Sequence, residues 1–175
     1  MMNIERLDAA QTLQLVPGLA VLLQNVVDNG ASVGFLPPLA EADAAAYWRS
    51  VAGALQEPYR ILLVARDGHS IAGTVQLDLA SRPNGSHRAE VAKLMVHTQN
   101  RRQGLGRALM QVIESEARQA GRTTLVLDTR EGDPSERLYT SLGYLKAGSI
   151  PEYARSADGQ LHTTAFLYKL LRATA

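Results

Sequence analysis

The sequence predicts an α/β fold with a mixed, mostly antiparallel sheet of six to seven strands, one parallel strand pair, and about four flanking helices. Three observations point there. Successive β-rich runs between residues 59 and 97 have no helix between them, which makes that part of the sheet antiparallel. A strand–helix–strand unit from Ala89 to Asp128 needs a crossover and therefore a parallel pair. Before residue 59, apolar residues recur at helical spacing instead.

The elements follow in order. Asp8 and Gln11 have the spacing of a capping box and open a helix that Pro17 is expected to interrupt or restart. From Leu19 the residues Leu22, Leu23, Val26 and Val27 mark one helical face, stopped by Asn29-Gly30. GASVGFLPPL, residues 30–39, reads as a structured loop. Glu41 to Leu55 is an Ala-rich second helix carrying Tyr47 and Trp48. YRILLVAR (59–66) and SIAGTVQLDLA (70–80) are strands joined at Asp67-Gly68, a hairpin turn signal. After the loop SRPNGSH, Ala89–His97 is a third strand. Gln103–Ala120 is an amphipathic helix with Leu105, Ala108, Leu109, Val112, Ile113 and Ala117 on one face. TTLVLD (123–128) is a short buried strand, and Asp133-Pro134-Ser135-Glu136 starts a short helix that ends at Gly143. Strands around Tyr144–Ser149 and His162–Leu171 close the chain, with a turn at Asp158-Gly159.

Composition narrows the function. The length of 175 residues fits one domain, divided into a helical segment 1–58 and a core 59–171. Eighteen basic and seventeen acidic residues leave +1, so no net field draws the molecule to nucleic acid or a membrane. The chain has no Cys, which excludes disulfides, thiolate metal sites and a Cys nucleophile, and its four His lack metal spacing. No metal is expected. No apolar run approaches the roughly 18 residues a membrane span needs, and residues 1–25 lack a basic start followed by an apolar stretch, so a cytoplasmic location is expected.

The most informative stretch is Asn100-Arg101-Arg102-Gln103-Gly104-Leu105-Gly106-Arg107, where a strand passes through a short loop into a helix. Glycines let the backbone approach a ligand, and the N–H groups of a helix start favour an anion. Two glycines alone equally fit an ordinary helix start with solvated arginines. Three arginines around them favour a pyrophosphate. The P-loop pattern is absent. A dinucleotide fingerprint would need a third small residue where Leu109 stands, although Asp128 lies about where a ribose-binding acid belongs. A nicotinamide enzyme is thus one alternative, and a CoA-binding sensor without catalysis is another.

Arg101-x-x-Gly104-x-Gly106, after a strand ending Leu94-Met95-Val96, resembles the pyrophosphate-binding motif of the GCN5-related N-acetyltransferases (GNAT family). Leu138-Tyr139 and Leu142-Gly143-Tyr144 are similar to that family's L-Y-x-x-x-G-[FY] helix and turn. GASVGF, RPNG, HRAEV, KLMV, LDT and the segment 158–165 look like the tabtoxin-resistance acetyltransferases in particular. The resemblance implies a GNAT-like sheet and an acetyl-CoA cosubstrate held by Leu94, Met95, Val96, Arg101, Arg102, Gln103, Gly104, Leu105, Gly106 and Arg107. It also implies acetyl transfer to a small-molecule amine, such as a β-lactam amino acid toxin or related metabolite, with a role in toxin resistance. A homodimer follows from family analogy alone. The sequence departs from the family in one respect: Gly132 stands where many members carry Asn, so a hydrogen bond often made there falls to the Ser135 hydroxyl.

Acetyl transfer to an amine needs a base, because an ammonium of pKa near 10.4 is neutral about once in 10³ molecules at pH 7. Glu90 and Asp128 are the candidate carboxylates. Asp128 ends a parallel strand, where ligands bind; Glu90 lies earlier and needs a cleft or an intervening water. Each also suits an ordinary strand-end or solvent-facing acid. Strict alternation puts Glu90 and Lys93 on opposite faces, and the resemblance implies a bulge that brings them to one side and frees a peptide N–H near Leu94 or Met95 for the thioester oxygen. Tyr139, at the matching L-Y position, is the candidate acid for the departing thiolate, although a core Tyr fits the same pattern. GASVGF, Tyr47 and a turn at Pro151-Glu152-Tyr153 are expected to form the acceptor pocket, with Trp48 in the core.

Overall fold

The computed structural model describes residues 2–171. One seven-stranded sheet in the order β1-β2-β3-β4-β5-β7-β6 carries four α-helices. The strands are β1 (Met2–Leu7), β2 (Arg60–Asp67), β3 (Ser70–Leu79), β4 (Arg88–Val96), β5 (Thr124–Arg130), β6 (Leu145–Arg155) and β7 (Leu161–Leu170). The helices are α1 (Ala9–Asp28), α2 (Glu41–Ala54), α3 (Leu105–Gln119) and α4 (Pro134–Ser141). Among the described strands only β4 and β5 run parallel, joined through α3. The predicted mixed sheet with one parallel pair and four helices is therefore present.

Two cores form, one on each face. Leu19, Leu23, Val26 and Trp48 of α1 and α2 pack on Leu62, Val64 and Met95. Leu105, Leu109, Met110 and Ile113 of α3 pack with Tyr139 and Tyr144 on Leu63, Leu77, Val91, Leu125 and Leu167. Alternation along each strand sends neighbouring residues to opposite cores, as Leu62 and Leu63 illustrate.

Gly73 of β3 faces α3. A Cβ there would meet the Met95 carbonyl at 2.7 Å and Leu109 Cδ1 at 3.1 Å. A backbone atom cannot step aside as a side chain can. Gly73→Ala is expected to cost about 1–3 kcal/mol, read as a lower midpoint in denaturant unfolding.

Several expectations need correction. The segment 1–58 is not all helical: β1 pairs antiparallel with β2, from Met2 opposite Asp67 to Leu7 opposite Leu62. Pro17 does not break α1, which runs through it behind the predicted capping box. Pro17 and Leu13, whose carbonyl loses its helical partner to the proline, both lie on the exposed face, where water can serve it. Pro151, Glu152 and Tyr153 are no turn but lie within β6, where the register with β7 shifts and Glu152 has φ 54°. Contrary to the reading of apolar runs, α1 is long and apolar enough by length and composition to cross a membrane. Thr12, Gln14, Pro17 and Gly18 had interrupted the apolar run, while the helix as a whole still averages apolar. Its apolar face packs into the core it shares with α2.

Candidate active site

β4 is the element on which the site depends. Its register against β3 shifts between Thr74 and Gln76, which pair with Met95 and Ala92. Lys93 and Leu94 stand opposite the single residue Val75, and Lys93 adopts φ 53°. The bulge reverses the alternation as anticipated. Leu94 and Val96 pack on the α3 side, while Lys93 contacts Tyr47 on the α2 side, the side to which Glu90 also belongs by register. β4 and β5 pair only from Arg88–Thr124 to Glu90–Val126. Beyond Glu90 the strands part, so one peptide edge of β4 from 91 to 96 has no partner on β5.

The opening leads into a cleft of about 620 Å³. One wall is Leu94, Met95 and Val96, and the floor is the start of α3. Gly104 caps α3 at φ 82° with no side-chain cap, a left-handed conformation that costs glycine nothing. The first N–H groups of α3 thus stay unclaimed by the helix and face the cleft. Arg102, also left-handed at φ 60°, makes no side-chain hydrogen bond or ion pair among the described residues. Arg101 Nε donates to the Val96 carbonyl at 3.2 Å, and an Arg107 nitrogen donates to Ser141 Oγ at 2.8 Å. Asn25 of α1 clamps the loop, accepting from the Thr98 N–H at 2.9 Å and donating to its hydroxyl at 3.1 Å.

Nearly all the residues expected at the cofactor line this cleft: Leu94, Met95, Val96, Arg101, Arg102, Gly104, Leu105, Gly106, Arg107 and Ser135. Gln103 does not; its side chain folds back to the Gln99 carbonyl at 3.1 Å. Ser135 Oγ lies 2.6 Å from Thr129 Oγ1 at the opposite wall.

The three candidate catalytic residues stand beyond the cleft lining. Asp128 is exposed on β5, opposite Phe166 of β7 and two residues before the cleft-lining Arg130. Glu90 lies opposite Asp78 on β3, four residues before Leu94, or about 13 Å back along the strand. Partial burial first, then the charges of Asp128 and Asp78, raise the Glu90 carboxyl above its ordinary value; Lys93 and Arg88 oppose them. Tyr139 of α4 is 7% exposed and packs in the α3 core beside Tyr144. Burial, with Asp128 second, pushes its phenol far up, so it stays protonated.

Sequence reasoning missed three groups. Arg130 donates to Asp133 at 2.9 Å and Ser156 at 3.0 Å while lining the cleft, joining the start of α4 to the β6–β7 hairpin. Asp78 holds Arg60 in a two-pronged pair at 2.6 and 3.2 Å, and its place beside Glu90 follows from strand register. Gln76, 1% exposed, donates to the Tyr47 hydroxyl at 2.9 Å, which orients the tyrosine. Trp48 is fully buried, as expected. Among the described residues no group of three or more His, Asp or Glu is placed to hold a metal.

The sequence model of the acetyltransferase (GNAT) family matches residues 27–144. An uncharacterized N-acetyltransferase in the hisH-hisA intergenic region of Azospirillum brasilense is 35% identical over 131 residues, 74% of this chain and 76% of that protein. Human N-acetyltransferase 8B is 34% identical over 116 residues, 64% of this chain and 50% of its own length. The fold is shared with Salmonella typhimurium yncA, solved with its cofactor acetyl-CoA, at TM-score 0.78 and 21% identity over 100% of this chain and 96% of that one. An N-acetyltransferase from Staphylococcus aureus Mu50 superposes at TM-score 0.80 and 17% identity, over 98% and 99% of the two chains. The chain belongs to the acetyltransferase (GNAT) family, and that membership makes it an acyltransferase.

Proposed function

We propose that the chain is an acetyl-CoA-dependent N-acetyltransferase acting on a small-molecule amine by direct attack in a ternary complex. The observation that carries this reading is the cleft at the parted β4 and β5, with a helix start and the unpartnered Arg102 beside it. A pyrophosphate suits that combination of N–H groups and guanidinium. The acetyl-CoA bound to yncA supports it.

Acetyl-CoA, when bound, supplies an acetyl thioester. The free β4 edge beside the bulge donates a peptide N–H to the carbonyl oxygen. Asp128 takes the proton the amine must lose, with Glu90 behind it through water. Tyr139, held protonated, gives its proton to the sulfur as the carbon–sulfur bond breaks. An acyl-enzyme through Cys is excluded by composition.

The acceptor reading rests on resemblance to the tabtoxin-resistance acetyltransferases, which favours an amino acid toxin or related metabolite and a role in resistance. A homodimer rests on family analogy alone. Phe35 and Tyr47, in edge contact at 5.3 Å, offer a partly apolar wall for such an acceptor.

The test is thiol release from acetyl-CoA across a panel of primary amines that includes β-lactam amino acids. Saturable release with one class supports the reading; release with none, in a protein that binds acetyl-CoA, favours a sensor without catalysis. Arg102→Glu is expected to weaken acetyl-CoA binding by about tenfold or more, since a charge-assisted bond contributes about 1.5–3 kcal/mol.

A further inference from the structure

Lys93 combines three features that the reaction above leaves unused. It occupies the bulge with φ 53°, a conformation that costs a side-chain-bearing residue on the order of 1–3 kcal/mol. It is half-buried, and its ammonium donates to the Val33 carbonyl of the α1–α2 loop at 2.6 Å. The same Nζ lies 6.0 Å from the Tyr47 ring centroid, and a Cβ on Gly34 would come within 3.2 Å of it. One side chain thus bridges the strand that lines the cleft and the loop that faces the acceptor side.

Its surroundings are mostly acidic. Asp128 of β5, Asp78 of β3 and Glu90 of β4 act on Lys93 as stabilising charges, and Arg60 of β2 opposes them. Arg60 is committed to Asp78. Burial nonetheless lowers the Lys93 ammonium below its ordinary value, so its place in the fold is maintained at a cost.

We propose that Lys93 is a positioning residue that locks the 31–35 loop onto the β4 bulge and balances the carboxylates of Glu90, Asp128 and Asp78. Its catalytic relevance rests on the reading of Glu90 and Asp128 as the proton acceptors. The lock and the charge balance can be measured without turnover, so their failure is distinguishable from failure of that reading.

The experiment uses the full chain as wild type, Lys93→Met, Lys93→Arg and Lys93→Gln. It records hydrogen exchange at residues 31–35, the Glu90 side-chain titration by NMR, and acetyl-CoA affinity by calorimetry. In Lys93→Met the loop amides are expected to exchange about tenfold faster or more, and the Glu90 midpoint to move upward because a nearby positive charge is gone. Lys93→Arg restores the Glu90 midpoint. Lys93→Gln, which removes the charge and shortens the side chain, speeds the same amides and serves if Lys93→Met does not fold. Acetyl-CoA affinity stays within about threefold, since Lys93 does not line the cleft. Unchanged exchange in Lys93→Met or Lys93→Gln overturns the proposal. So does a loop that loosens while Glu90 titrates as before, because Lys93 would then serve packing alone.

Discussion

Replacing Glu90 by Gln or Asp128 by Asn lowers acetyl transfer by about 10²–10⁴-fold, the usual contribution of a general base, and leaves acetyl-CoA binding nearly unchanged. The double variant falls little further than the worse single one, because the two carboxylates act as a unit. Their coupling also fixes a direction for pH. Asp128 helps to raise Glu90, so Asp128→Asn shifts the Glu90 midpoint down, toward the ordinary carboxylate value near 4.3. Stability moves the other way from activity. A carboxyl raised in the folded state favours its protonated form there, so stability is lost as pH rises from the unfolded to the folded midpoint. Glu90→Gln removes that loss: its Tm at pH 7 equals or exceeds wild type, and the difference vanishes below about pH 4. A variant with full transfer activity would place the base elsewhere.

Lys169→Met is expected to destabilise the fold by about 3–5 kcal/mol. Lys169 Nζ on β7 donates to both oxygens of Glu114 on α3, at 2.9 and 2.7 Å. Glu114 is 6% exposed, and its other cation, Arg118, stands 3.9 Å away. Removing the lysine leaves a carboxylate inside the core with Arg118, 3.9 Å away, as its remaining cation. The burial cost then goes unopposed. In a chain of this size the loss corresponds to roughly 6–20 °C in Tm. Replacing both residues, Glu114→Leu with Lys169→Met, recovers most of it, because no orphaned charge remains. Thermal unfolding of the two single variants and the double variant checks this; a double variant as unstable as either single one would mean that apolar packing cannot replace the pair.

The elements that sequence reasoning placed well are those whose pattern is local and repeated. α3 shows its apolar stripe at helical spacing: of the six residues the stripe names, Leu105, Leu109, Ile113 and Ala117 are buried and Ala108 and Val112 only half-buried, while Met110, outside it, is buried too. Even there, Glu114 turned out buried, because its partner comes from β7, far along the chain. β1 was missed because Met2–Leu7 is a short edge strand that mixes Asn, Glu and Arg with its apolar residues, and pairing with β2 is what defines it. β6 was cut short because Pro151 reads as a breaker, yet a bulge at a sheet edge accommodates it. The β4 bulge was implied by the family resemblance; alternation alone left Glu90 and Lys93 on opposite faces. Asp78 and Arg130 were not legible at all. Strand register and loop closure, both long-range, bring them to the site.

The most direct test of the account is a calorimetric titration of the purified protein with acetyl-CoA, with NADH as control. Saturable binding of one acetyl-CoA per chain, weakened in Arg102→Glu, is expected, with no binding of NADH. Absence of acetyl-CoA binding in a folded protein, or binding indifferent to Arg102→Glu, would contradict the assignment of the cleft between β4 and α3 as the cofactor site.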